Sequence, residues 1–256
     1  EDNTASNNTA VGFAVLANNT TGGFNTALGG ANYGFTGGAM HLNTTGSYNT
    51  ALGNQALHNN TTASNNTAVG YLAGYAITTG DQNTAVGADA MRFTSTGTLN
   101  VAVGQQTLYY NTTGSNNTAL GRSALQSNTT ASNNTAVGYQ AGYTNTTGTG
   151  NNSFGTQALR ANTTANYNSA FGHVTMYSNT TGTNNAAFGG ITMYSNTTGS
   201  SNSAFGYNAL YSNTTASNNT AVGYQAAYNN TTGAKNTAVG YGAFPSNTTG
   251  GNNTAV

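Results

Sequence analysis

Large apolar residues in this chain are never grouped into long runs; they recur singly, at a fixed pitch, among small and polar neighbours. The clearest unit is AsnThrAlaValGly, at 66–70, 83–87, 134–138 and 219–223. Its closing glycine stands at Gly12, Gly29, Gly53, Gly70, Gly87, Gly104, Gly121, Gly138, Gly155, Gly172, Gly189, Gly206, Gly223 and Gly240. The interval is 17 residues except between Gly29 and Gly53, where it is 24. The seven extra residues fall near 30–36 and carry Asn32, Tyr33 and Phe35. Such a fixed period marks a repeat architecture. The chain, 1–256, reads as a single array of about fourteen coils, and because both ends fall inside a repeat it reads as an excerpt from a longer array.

Counted from the motif glycine, the columns differ in tolerance. Four before it stands Asn fifteen times out of fifteen, and two before it Ala every time except Ser153. One before it is always Val, Leu or Phe. Three after it is Ala in ten units, and four after it Leu or Met in ten of fourteen. AsnThrThr follows at seven to nine in twelve units. Size alternates with period two over AsnThrAlaValGly and over segments such as TyrAsnAlaLeuTyr at 207–211, which predicts strands, since a helix needs apolar positions at three and four. Gly, Asn and Thr clusters disfavour a helix and mark turns. The expected fold is all-β: a parallel β-solenoid, or β-roll, with one 17-residue repeat per coil, two short strands per coil, and a trimeric assembly.

Two large apolar side chains cannot offset the entropy of ordering seventeen residues. Each coil must therefore stack on its neighbours at about 4.8 Å, giving a rod of roughly 65 to 70 Å. Stacking aligns identical side chains. The column Asn8, Asn25, Asn49, Asn66, Asn83, Asn100, Asn117, Asn134, Asn151, Asn168, Asn185, Asn202, Asn219, Asn236 and Asn253 is read as a ladder in which each buried carboxamide serves its copies above and below. The thin interior is expected to hold the Val, Leu or Phe column and the Leu or Met column. The Ala column and the small residue three after the glycine are expected on the outer face, where a second chain approaches closely.

Composition sharpens this picture. Asn, Thr and Gly number 43, 48 and 35 of 256 residues, and only 3% are charged, with net charge zero. A like charge in every coil would face its own copy about 5 Å away, which explains the scarcity. No basic surface exists for nucleic acid or anionic membrane. Cysteine is absent, so disulfides and thiolate metal sites are excluded. No apolar run is long enough to span a membrane. Nothing calls for a cofactor or metal.

Catalytic constellations are equally sparse. His41 and His58 share a column in neighbouring coils and are expected to stack about 5 Å apart, with no carboxylate nearby. His173, Asp81 and Asp89 lack triad partners. AsnThrThr is an N-glycosylation acceptor, which makes Asn19, Asn43, Asn60, Asn111, Asn128, Asn145, Asn162, Asn179, Asn196, Asn213, Asn230 and Asn247 candidate modification sites on exposed turns. Tyr109, Tyr143, Tyr177, Tyr194, Tyr211 and Tyr228, five after the glycine, and Tyr71, Tyr139, Tyr207, Tyr224 and Tyr241, one after it, read as packing columns, with sugar stacking as the alternative. A specific binding loop is expected, if anywhere, in the seven-residue insertion.

The AsnThrAlaValGly elements resemble the repeats of trimeric autotransporter adhesin heads, and TyrAsnAlaLeuTyrSerAsnThrThrAla at 207–216 is similar to shaft repeats of phage and virus tail fibres. The adhesin-head repeat is shorter than the seventeen residues here. The resemblance covers nearly the whole chain and implies a left-handed parallel β-roll, three of which associate. A second likeness, to ice-binding β-rolls, draws on pairs such as Thr112 and Thr113 or Thr129 and Thr130; adjacent threonines in a strand point to opposite sides, and their setting is a turn. The function expected is that of a non-catalytic rod or shaft of an extracellular fibre, on a cell or virion surface, that spaces or displays an attachment element. Its expected partners are copies of itself, as a homotrimer or filament, and cell-surface glycans, without nucleic acid or membrane insertion. A sugar-binding adhesin repeat and an ice-binding solenoid are the alternatives.

Overall fold

The computed structural model describes residues 5–30 and 37–256. The chain is an all-β parallel β-solenoid. Two compact units are described in turn, Glu1–Ala131 and Ser132–Val256. Coils touch only their neighbours, so a stack has no common centre to bind distant coils together. The insertion residues Asn32, Tyr33 and Phe35 lie outside the described residues.

The first unit carries β1 (Thr9–Val11), β2 (Thr26–Leu28), β3 (Thr50–Leu52), β4 (Thr67–Val69), β5 (Thr84–Val86), β6 (Val101–Val103) and β7 (Thr118–Leu120). Each pairs in parallel with the next, Thr67 opposite Thr84 and Ala68 opposite Ala85. The 24-residue interval does not disturb this register, since Thr26 still faces Thr50. The second unit carries β8 (Thr135–Val137), β9 (Asn152–Phe154), β10 (Ser169–Phe171), β11 (Ala186–Phe188), β12 (Ser203–Phe205), β13 (Thr220–Val222), β14 (Thr237–Val239) and β15 (Thr254–Ala255), paired in the same way.

Only one strand per described coil forms, against the expected two. The segment after the motif glycine is a ribbon of turns in which the residues two and four after it take the left-handed conformation, as at Gln55 (φ 55°) and Leu57 (φ 50°). This ribbon still bonds to the next coil: Leu57 N–H donates to Ala73 O and Asn59 N–H to Tyr75 O, while Ala56 and Asn60 donate back within their own coil to Gly53 and Leu57. The parallel ladder thus continues through non-extended backbone. The motif glycine turns the corner at φ between 121° and 146°. At Gly53 an added Cβ would overlap the carbonyl oxygen of Gly70 in the next coil, so close stacking as well as conformation requires glycine here.

The strand faces are the reverse of those expected. Ala27, Ala68, Ala136 and Ala204 point inward and are fully buried, together with Ala56, Leu57, Met91, Met176 and Leu210 from the turn ribbon. The Val, Leu or Phe column points outward; Val11, Leu28 and Leu120 are exposed. Six columns converge inward from a seventeen-residue coil: two Asn, two Ala or Thr, one Leu or Met, and one Gly or Ala. That interior has room for one large side chain per coil. Ala is nearly invariant because the interior is tight, and its constancy says nothing about an approaching chain.

Left-handed backbone at a branched or bulky residue costs on the order of 1 kcal/mol, less for Asn. Leu99 (φ 58°) is exposed at a turn position where Asn65, Asn116, Asn133, Asn184 and Asn218 stand in other coils. Leu99→Asn is expected to stabilise the chain by up to about 1 kcal/mol in denaturant unfolding, and Leu99→Val to destabilise it.

Candidate functional site

The features that set this chain apart are its columns. In the ladder four before the motif glycine, the Asn oxygen accepts the backbone N–H of the next Asn: Asn49 to Asn25 at 2.9 Å, Asn83 to Asn66 at 2.8 Å, Asn202 to Asn185 at 2.9 Å and Asn236 to Asn219 at 2.8 Å. The amide nitrogen reaches across the coil to the carbonyl ten after the glycine, as Asn100 to Gly114 at 2.9 Å and Asn185 to Gly199 at 2.9 Å. The column does align as expected, but its main role is to fasten strand to turn.

Carboxamides in this column also bond to one another, Asn49 Nδ2 donating to Asn25 Oδ1 at 3.2 Å and Asn100 Nδ2 to Asn83 Oδ1 at 3.1 Å, and a second carboxamide ladder with mostly shorter bonds runs through the asparagines of AsnThrThr. Asn196 Nδ2 donates to Asn179 Oδ1 at 2.7 Å and to Gly199 O at 2.9 Å; Asn213 repeats this with Asn196 at 2.8 Å and Ala216 at 3.0 Å. Asn43, Asn60, Asn111, Asn128, Asn145, Asn162, Asn179, Asn196, Asn213 and Asn230 are all buried. Their burial corrects the expected exposure of these acceptors: the atom a sugar would join is enclosed and hydrogen-bonded. Asn19 and Asn247, in outer coils, make the same bond to Gly22 and Gly250. Turn composition had suggested exposure; stacking turns the first residue of each turn inward.

Two coils break this ladder, at Ile77 and Thr94. Gly74 lacks the usual Leu or Met side chain, and the Ile77 Cδ1 and Leu57 Cδ2 atoms fill the space, about 3 Å from where a Cβ would stand. Asn60 Oδ1 and Thr94 Oγ1 are consequently buried without a hydrogen-bond partner. Asn83 Nδ2 compensates in part by donating to Gly80 O as well as Gly97 O.

Aromatic columns stack on themselves. Phe154, Phe171, Phe188 and Phe205 lie 4.6, 4.7 and 5.1 Å apart, stacked nearly parallel. Tyr177, Tyr194, Tyr211 and Tyr228 form a second ladder at 5.3, 5.6 and 5.0 Å, and Tyr207, Tyr224 and Tyr241 a third. Ring faces that cover each other are not free to stack a sugar. Arg160 sits between Tyr143 and Tyr177, 5.3 and 5.5 Å from their rings, and Arg92 pairs with Asp89 at 3.1 Å. Asp81 accepts the Ser64 N–H at 2.6 Å, in a column where Ser hydroxyls, such as Ser64 for Ser47, or Asn166 Oδ1, for Thr149, take this role in other coils.

His41 stacks on His58 at 5.4 Å, and His58 on Tyr75 at 5.2 Å. His41 Nδ1 faces the Ala14 carbonyl oxygen at 3.0 Å, which assigns its proton to Nδ1, and His58 Nδ1 lies 2.8 Å from the Asn59 side-chain amide. Among the described residues no group of three or more His, Asp or Glu converges. Open surface grooves of ≈ 630 Å³ beside Leu42, Thr44 and Thr61, and ≈ 410 Å³ beside Phe93, Tyr110 and Thr112, run along the columns six and eight after the glycine.

One column escaped the sequence reading. Nine after the glycine stands Thr in all fourteen coils, from Thr21 to Thr249, and every one is exposed. It is the last residue of each AsnThrThr acceptor, yet Thr79 and Thr96 persist where Ile77 and Thr94 have replaced the Asn. Its constancy thus has a cause separate from the acceptor pattern. The preceding Thr is spoken for: Thr61 Oγ1 donates to Thr78 O at 3.0 Å and Thr197 Oγ1 to Thr214 O at 3.1 Å.

Comparison of the chain with protein-family models, curated proteins and solved structures gives no match.

Thr94→Asn is expected to stabilise the protein by about 1 to 2 kcal/mol, because it supplies a donor to Gly97 O and an acceptor to Asn111 Nδ2. Asn196→Leu should cost about 2 to 4 kcal/mol by leaving Asn179 Oδ1 without its donor and Asn213 Nδ2 without its Asn196 acceptor; equilibrium unfolding measures both. Folded protein from a glycosylating host should carry unmodified Asn128 and Asn196 in peptide mass mapping, and a sugar on either would contradict the inward placement.

Proposed function

We propose that the chain is a non-catalytic structural segment, the rod or shaft of an extracellular fibre such as a tail fibre, adhesin or surface filament, which spaces or displays an attachment element and associates with copies of itself. The observation that carries this reading is the way interior hydrogen-bonding capacity is used: Asn, Thr and backbone groups of each coil bond chiefly to the coil above or below. Coils so alike, each fastened to the next, resist opening and supply stiffness. The near absence of charge fits a surface that must repeat without self-repulsion. The rod's environment and any attached element follow from the resemblance to adhesin heads and tail-fibre shafts.

The exposed threonine rank favours a second reading, an ice-binding face. It is a single rank, because the adjacent threonines are turned to the backbone, and a flat two-rank hydroxyl surface is missing from these turns.

Under the structural reading, the folded protein survives a broad-specificity protease at concentrations that digest the denatured chain. It gives no signal on a glycan array and no thermal hysteresis. Immunogold labelling of the native source is expected to decorate surface fibres. Labelling confined to the cell interior would sink the proposal, selective glycan binding would favour the adhesin repeat, and ice shaping would favour the second reading.

A further inference from the structure

The outward strand face of the second unit is neutral and open to solvent, with a wholly apolar Val and Phe rank beside a rank of mostly Thr and Ser. Each of its strands presents two outward ranks, three before and one before the motif glycine, with Ala or Ser pointing inward between them. Phe205, Val222 and Val239 are 42%, 39% and 37% exposed. Neither rank holds a Lys, Arg, Asp or Glu. Single exposed apolar residues need no explanation, but a contiguous stripe marks an interaction surface.

The two ranks also vary together. The four strands with Phe in one rank carry Asn152, Ser169, Ala186 and Ser203 in the other, whereas the strands with Val137, Val222 and Val239 carry Thr135, Thr220 and Thr237. At Phe171, Phe188 and Phe205 a gain in volume at one rank accompanies a loss at the other, while Asn152 beside Phe154 matches Thr in size. Bulk water sets no such limit, while a packed partner surface does. The stacked, parallel Phe rings recur at the coil repeat.

We propose that this face packs against the same face of a second copy of this chain, with the two stacks parallel and each coil meeting its own counterpart. The inference rests on the self-associating structural reading above and names the surface used. Periodicity selects the occupant: a partner that touches every rung alike must repeat at the strand spacing of about 4.8 Å, which a second copy does by construction. Its face is likewise neutral, so no charge is stranded in the contact. Parallel alignment sets the Phe block against the Phe block and valine against valine. Eight strands give a stripe roughly 35 Å long and about 10 Å wide, hence about 350 Å² per partner. A standard interface uses about 800 Å² per partner, so pairing through this stripe is weak and tightens with each added rung.

The absence of cysteine makes a clean test. Sedimentation of the whole chain up to about 100 µM is expected to show self-association, as suits a small interface. Under mild oxidation Val239→Cys should yield a covalent dimer, and Thr198→Cys, on the threonine rank, should not. Phe188→Glu, at an exposed position, should raise the dissociation constant about tenfold or more with an unchanged circular dichroism spectrum. Association that persists in Phe188→Glu, without a Val239→Cys dimer, would overturn this face while leaving the structural reading intact. A wild-type chain that stays monomeric throughout would overturn both.

Discussion

Each residue here must be compatible with its own copy one strand spacing away, and nearly every other property of the chain follows from that. A column survives only if its side chain attracts, or at least tolerates, itself. Carboxamides do so because they both donate and accept, as Asn179, Asn196 and Asn213 show. Aromatic rings do so by stacking, and hydroxyls by reaching the neighbouring backbone. Charges do not. Two of the charges that do enter are neutralised or sheltered, in the Asp89–Arg92 pair and by the tyrosines on either side of Arg160, while Lys235 faces solvent.

The second constraint is the thinness of the coil. Seventeen residues enclose space for one large side chain, and the turn ribbon, rather than the strand, delivers it. That is why Leu57, Met91 and Leu210 are buried while Leu28 and Leu120, in the strand itself, are exposed. It also explains the local exchange at Gly74 and Ile77: a side chain deleted from one column is replaced by bulk in another, at the expense of a hydrogen bond that Asn60 Oδ1 then lacks.

Period, parallel register and strand position were legible because they depend on spacing alone, and the 17-residue interval survives every substitution. The facing of the strand was not. Alternation says only that Ala and Val point to opposite sides; which side is interior depends on how much volume the coil encloses, and that is a property of the closed loop. The second strand was misjudged for a related reason. Gln55 and Leu57 are poor left-handed residues, so nothing in their identity announced φ near 50°. The clues were indirect, in Gly74 and Gly142, which take φ 60° in the column of Leu57, and in the asparagines of the neighbouring turn.

The twelve AsnThrThr segments show how far a short motif can mislead in a stacked fold. Read alone, each is a turn with an acceptor asparagine. In the stack, its three residues face three environments: the Asn is sealed inside and bonded to its copies, the first Thr bonds to the next coil, and the second Thr meets solvent. The coils at Ile77 and Thr94 separate these roles, because the Asn is lost there while Thr79 and Thr96 remain. Three adjacent columns that look like one motif therefore answer to three different requirements, and only the first two are met within the molecule.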